Sequence, residues 1–332
     1  MKYYPLIVRM AAAALFAASA HAQEDVAVSG QVTTTKKTPL KTAPKASAAA
    51  QQTLPASTNL RWVMGDHKGK YFRVMVPHGP SGWVLESDVQ KVQEADLASV
   101  ALQGSAQPCV DPETLEACTT NKPTGCSGPD TAHGLANHLK RTVPPEGDAT
   151  LVTFETFSQL QSQAVELVDQ GVEIDPADRD KIKSIETTAG TLGEGSRVRV
   201  VAFLSEGKPH PNTGESVNCN LKKELNNDIH ISVTETKNAS EFEGVVVEMI
   251  PQDRPDKWSS AKVGILRGKL LLIEGALFYD NLHFANGDAD NPLSGQPKRF
   301  SLWEIHPVAS VKVCKKTNNQ CDPDRASDWK AF

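Results

Sequence analysis

The second half of the chain alternates between apolar and polar positions. Over 196–204, Val198, Val200 and Ala202 alternate with Arg197, Arg199 and Val201, the period of a strand with one buried face. The pattern returns over 228–236, with Ile229, Ile231 and Val233 on the apolar side. Segments 244–250, 270–279 and 300–313 complete five predicted strands, and Pro307 marks a bend or edge position in the last. Between the third and fourth strands, 255–267 spaces Trp258, Ala261, Ile265 and Leu266 as a helix does. Upstream, Phe154, Phe157, Leu160, Ala164 and Leu167 form a helical stripe over 153–170. Shorter helices are predicted over 131–141, ended by Pro144-Pro145, and over 175–186. Nearer the start, Arg61-Trp62-Val63, 71–76 and Trp83-Val84-Leu85 read as strands around the turn cluster His78-Gly79-Pro80-Ser81-Gly82.

Five strands with a helix between the third and fourth follow the order of an OB-fold. That fold is a partly open barrel that binds ligands on strands two and three and on the loops joining strands one to two and four to five. From Gly125-Cys126 onward the chain also is similar to a family of uncharacterised secreted bacterial OB-like proteins. The likeness rests on Asn137-His138-Leu139-Lys140-Arg141, Glu215-Ser216-Val217-Asn218-Cys219, Asn227-Asp228-Ile229-His230-Ile231 and Trp303-Glu304-Ile305-His306-Pro307-Val308. It implies a fold and no reaction. Tyr71 to Val76, the turn, Gly82-Trp83-Val84 and Ser87-Asp88-Val89 resemble the C-terminal half of a bacterial SH3-like (SH3b-type) module, whose first strands are not recognisable. That resemblance implies a small barrel that binds cell-wall peptides or protein segments, with Trp62, Tyr71 and Trp83 as contacts. The same aromatics would equally serve as the barrel's core, Trp83 above all.

The expected fold is therefore mostly β with some α: a small SH3-like β-barrel followed by a five-stranded OB-like barrel preceded by helices. The expected divisions are a signal peptide (1–22), a disordered linker (23–56), the SH3-like domain (57–92), a cysteine-containing linker (93–130), a helical segment (131–188), the OB-like domain (189–315) and a C-terminal tail (316–332). The linker assignment rests on composition: 23–56 is rich in Ala, Thr, Lys and Gln and has too few apolar side chains to offset chain entropy.

Composition adds a compartment. Lys2 and Arg9, a short Ala-rich apolar run and Ala20-His21-Ala22 before Gln23 have the form of a cleavable secretory signal. The run is shorter than the about 20 residues that span a bilayer, so the expectation is a periplasmic or secreted protein with no transmembrane segment after cleavage. Cleavage would take the formal charge from −5 to −7, a balance that does not favour nucleic acid as a partner. Cell-wall peptide or envelope protein is the expected partner. Lys36, Lys37, Lys41 and Lys45 make the linker basic, suited to an acidic envelope surface or simply to solvent. Six cysteines, Cys109, Cys118, Cys126, Cys219, Cys314 and Cys321, fit a disulfide set in an exported chain. Sequence alone does not choose among their about 15 full pairings; Cys314 with Cys321 and Cys109 with Cys118 could close local loops, which would leave Cys126 for Cys219. No Cys-x-x-Cys pair suggests a metal.

One polar constellation carries chemistry. Asp228 and His230 share the face opposite Ile229 and Ile231, and Glu304 and His306 repeat that spacing on the last strand. Glu248, Asp280 and His283 fall at neighbouring strand ends. If the barrel brings them together, His230, His283, His306 and Glu304 are candidate ligands for a divalent metal such as Zn²⁺ or Mn²⁺, and the set could activate water. Alternation alone also produces such residues wherever an outer face meets water. No nucleophile elbow, phosphate loop or His-Glu-x-x-His pair occurs. The leading expectation is an exported cell-envelope binding protein, and the alternative is a metal-dependent hydrolase using the His/Asp/Glu cluster.

Overall fold

The computed structural model describes residues 29–91 and 113–332, apart from 206, 212, 213 and 257. The segment expected to be a signal peptide (1–22) and Cys109 lie outside the described residues. The first unit is a seven-stranded antiparallel sheet: β1 (Ser29–Thr34), β2 (Thr38–Lys41), β3 (Ala50–Leu54), β4 (Asn59–Lys68), β5 (Tyr71–Met75), β6 (Ser81–Leu85) and β7 (Val89–Lys91), in the spatial order β3-β2-β6-β5-β4-β1-β7. Residues 29–54 are therefore not a disordered linker. Three apolar side chains, Val32, Leu40 and Leu54, are buried against Leu60, Phe72, Val74 and Val84. Buried Thr34 and Thr38 satisfy their hydroxyls on backbone carbonyls of Pro55 and Lys36. A segment poor in apolar residues folds because its three large apolar side chains all face the core.

The stretch expected to be a cysteine linker contains α1 (Leu115–Asn121), capped by the Thr114 hydroxyl. Next come α2 (Ala132–Arg141), β8 (Thr150–Val152) and α3 (Phe154–Leu167). Thr153 caps α3 in a box with Thr156, and Phe154, Phe157, Leu160 and Ala164 bury the predicted stripe, whereas Leu167 stays exposed. The helix expected over 175–186 shrinks to α4 (Pro176–Arg179) and one 3-10 turn. It gives way to the hairpin β9 (Ile185–Thr187) and β10 (Gly190–Leu192).

The second unit is a closed five-stranded barrel. β11 (Arg197–Leu204) leads through β12 (His210–Pro211) to β13 (Ile229–Thr234) and β14 (Val245–Met249). A helix, α5 (Ser260–Gly264), shorter than its predicted span, then leads to β15 (Leu270–Tyr279) and β16 (Trp303–Cys314). Pairings β11–β13, β13–β14, β14–β16, β16–β15 and β15–β11 close the ring, and only β14–β16 is parallel. This is the OB-like order. Ile229, Ile231, Val247, Leu277 and Ile305 fill its interior with Phe157 and Leu160 of α3. Residues 316–332 are not a free tail: Cys314–Cys321 closes a loop and β17 (Trp329–Ala331) pairs with β16.

The other described bridge is Cys118–Cys219, which replaces both expected pairings of these cysteines with Cys109 and Cys126. It ties α1 to the loop between β12 and β13, two segments 101 residues apart. The two units touch through Arg61–Asp169 at 3.2 Å, Arg73 on the Asn291 carbonyl at 2.9 Å, and an apolar contact of Val63, Met75, Phe284 and Leu293. Gly171, with φ of +75°, lies where any Cβ would run into the Phe284 ring. No helix of the described residues is long and apolar enough to cross a membrane.

Candidate functional site

Strand register builds a polar row on the outer wall of the barrel. His210 pairs with His230, His230 with Glu248, and the parallel match of Val247 with Ile305 sets His306 beside Glu248. Because strands alternate, Ile229, Ile231, Val247 and Ile305 enter the core while these polar side chains face outward. They do not meet open water. α2 packs against β16, and the 3-10 turn Ser216–Asn218 packs against α2. His133 of α2 holds the Ser216 hydroxyl through Nε2 at 2.7 Å and Glu173 through Nδ1 at 2.8 Å. Asn137 donates to the same Ser216 hydroxyl at 3.0 Å. Cys118–Cys219 pins the end of that turn. Asp228, Glu304 and His306 are at most 1% exposed and Glu248 is 5% exposed.

Within this layer the charges form one connected chain. Glu248 Oε1 lies 2.9 Å from His230 Nε2, and its Oε2 lies 3.1 Å from His306 Nδ1. His306 Nε2 faces Asp228 Oδ2 at 3.3 Å, and Glu304 Oε1 is 3.8 Å from His306 Nδ1. Arg299 joins Glu304 at 3.2 Å to Asp280 at 2.5 Å, and His283 Nε2 stands 3.5 Å from Asp280. Glu215 approaches His230 at 3.7 Å, and the rings of His230 and His210 stack with centroids 5.3 Å apart. All seven expected polar residues thus converge, in two groups joined by Arg299.

Burial and neighbouring charge set the protonation states. Burial alone would lower His306, but Glu248, Asp228 and Glu304 push it up to about 10. Burial, reinforced by Glu248 and Asp280, raises Glu304 to about 7. Against burial, His230 and His306 hold Glu248 well below the carboxylate range. Asp280 is lowered too, since His283 and Arg299 outweigh its desolvation. His283 is lowered by burial, with Arg299 and Lys140 adding to the effect against Asp280. The carboxylates of the layer are compensated by several fixed cations: Arg299 beside Asp280 and Glu304, Arg141 and Arg254 near Asp228, and Lys140 near Glu248 and Asp280.

Among the described residues, one group of three has ligand atoms close enough to hold a metal ion: Asp228, Glu248 and His306, within 4.8 Å of one another. Of the expected ligands only His306 belongs to it. His230 instead supports Glu248, His283 lies beyond Arg299 beside Asp280, and Glu304 adjoins the group without joining it. Arg299, Glu215 and Asn218 were not anticipated. Arg299 had a weak signal, a cation five residues before Glu304, while Glu215 and Asn218 lie in a polar loop with no period.

The expected aromatic contacts divide differently. Trp83 is fully buried and Tyr71 is buried, so neither is free to meet a ligand. Trp83 pairs in register with Arg73, on the face turned toward the barrel's 283–295 loop, with Lys68 and Arg73 against its ring. Trp62 remains half-exposed, with Lys91 Nζ 4.4 Å from its ring centroid and Phe72 4.8 Å away.

No protein-family model matches the chain, and no curated protein does. Among solved structures it is similar to NlpC2 from Trichomonas vaginalis at 10% identity, over 69% of each chain, with a TM-score of 0.18. At that score the likeness bears on neither fold nor function.

Proposed function

We propose that the chain is an exported envelope-binding protein whose basic first sheet recognises an acidic cell-wall peptide or protein segment through the face around Trp62. The observation that carries this reading is that Trp62 is only partly buried, while Tyr71 and Trp83 are buried, and that Lys91 lies against its ring. Residues 29–91 hold seven lysines and two arginines against three acidic residues, although the whole chain is acidic. Lys36, Lys37, Lys45, Lys68, Lys70 and Lys91 are exposed. Such a surface attracts carboxylate-bearing ligands, and a half-exposed indole supplies contact area. The SH3-like resemblance and the disulfides agree with a binding module working outside the cytoplasm.

The alternative of a metal-dependent hydrolase needs an open coordination position and access for substrate. The enclosed polar layer favours binding over hydrolysis. Titration of the purified chain with acidic wall-peptide fragments, followed by tryptophan fluorescence, tests the reading. Saturable binding that weakens with salt and falls about tenfold or more in Trp62→Ala is expected, in line with an aromatic anchor. Binding unchanged in Trp62→Ala, or absent at low salt, would refute it.

A further inference from the structure

We propose that the outer face of the first sheet, around Arg73 and Trp83, is a second recognition face for extended acidic segments of partner proteins, closed by the chain's own residues 288–294. This face lies across the sheet from Trp62. Phe72 and Val74 enter the sheet's core, and Trp62 pairs with Val74 on that side. Arg73 and Met75 alternate with them, and Trp83 pairs with Arg73, so these three share the side turned toward the barrel.

Segment 288–294 meets this face as a bound peptide would. Leu293 is the buried side chain of 287–295, with exposed Pro292 and Ser294 on either side of it. It joins Val63, Met75 and Phe284 in one apolar cluster. Arg73 Nη1 donates to two consecutive carbonyls, Asn291 at 2.9 Å and Pro292 at 3.4 Å. The Ser294 amide hydrogen-bonds Asp66, and Asp288 acts on Arg73 by charge. One buried aliphatic anchor, with backbone carbonyls held beside it, is how a sheet surface captures an extended segment.

The closed contact leaves groups of the sheet unsatisfied. Arg73 Nε, Asp66 Oδ2 and Trp83 Nε1 are buried without hydrogen bonds. The Asp66 carboxylate stands 3.7 Å from Arg73 Nη1, beyond hydrogen-bond distance. Burial pushes Asp66 up and Arg73 down, against the attraction between them. Each unmade hydrogen bond opposes closure, and opening would hydrate all three groups. Lys68 and Arg73 both lie against the Trp83 ring, so cations outnumber Asp66 on this face. Backbone carbonyls are weaker partners for a guanidinium than a carboxylate, which could also take the Nε that the segment leaves unused. The fitting ligand is therefore an acidic segment carrying an aliphatic anchor.

The test titrates the full chain by calorimetry with a synthetic peptide of residues 286–296. In the unmutated chain the tethered segment competes at an effective concentration on the order of millimolar, so binding should be weak. Leu293→Ala in the chain removes the anchor and should tighten peptide binding about tenfold or more. Adding Arg73→Gln to that variant should abolish the gain and leave wall-peptide binding at Trp62 in place, so the two readings can fail separately. A folded Leu293→Ala chain that binds the peptide no better than the unmutated chain would overturn the proposal. Wall-peptide fragments that gain as much from Leu293→Ala would overturn the assignment to protein segments. Hydrogen–deuterium exchange of the unmutated chain in excess peptide covers the case in which the variants fail to fold. Exchange at 288–294 should rise as the peptide takes its place, and unchanged exchange there would overturn the proposal.

Discussion

Glu248 bridges two histidines: its oxygens lie 2.9 Å from His230 on one neighbouring strand and 3.1 Å from His306 on the other. The carboxylate thereby links the half-buried end of the polar row to its buried end. Glu248→Ala would remove the carboxylate the two rings share, leaving His230 with Glu215 and His306 with Asp228 and Glu304. Breaking a buried charged network from one side costs about 3–5 kcal/mol. Equilibrium urea unfolding should show a loss of that size, and a change below about 0.5 kcal/mol, typical of a surface site, would mean that the bridge contributes nothing.

The pH dependence of stability follows from two opposite shifts. His306 and Glu304 are raised in the folded state, to about 10 and about 7. Their contributions are fully present below their unfolded values of roughly 6.5 and 4.3 and are lost as pH rises through the folded ones. Asp280 and Glu248 are lowered, so theirs are present above roughly 4 and are lost as pH falls below it. In chelator-treated protein, stability should therefore decline on both sides of mildly acidic pH. Urea midpoints taken from pH 3 to pH 10 check this, and His306→Gln should flatten the alkaline limb.

The two described disulfides should contribute unequally. Cys118–Cys219 spans 101 residues and Cys314–Cys321 spans 7. On the chain-entropy account these correspond to about 4.7 and about 2.4 kcal/mol. Replacing Cys118 and Cys219 together by Ala should therefore destabilise the protein by about 2 kcal/mol more than replacing Cys314 and Cys321. Peptide mapping of oxidised protein should recover both pairs. Recovery of Cys126–Cys219 would contradict the bridge between α1 and the loop before β13.

Deleting residues 29–54 should unfold the first sheet, because it removes β1–β3 and the core side chains Val32, Leu40 and Leu54. Circular dichroism of the chain begun at Pro55 would show lost β signal. An unchanged spectrum would mean these strands are dispensable.

The barrel was legible because Ile and Val at every second position mark strands by composition and period together. Residues 29–54 were not, because Val32, Leu40 and Leu54 stand singly among Thr, Ala, Lys and Gln. Local composition cannot report that neighbours from β4 to β6 complete the core. The spacing of Asp228 with His230, and of Glu304 with His306, follows the strand alternation that keeps these four polar side chains out of the barrel's apolar interior. Their burial was not readable, since it comes from α2 and the pinned 214–219 loop, far away in sequence. Tyr71 and Trp83 looked like ligand contacts for the same reason: a strand pattern shows which residues share a face but not what covers that face.

The central claim is that ligand meets the first sheet around Trp62. Hydrogen–deuterium exchange of the full chain, with and without a saturating acidic wall peptide, tests it most directly. The account predicts added protection in β4, β5 and β7, the strands carrying Trp62, Phe72 and Lys91, with the barrel unchanged. Protection confined to β13, β14 and α2 would place the ligand on the barrel and contradict the claim.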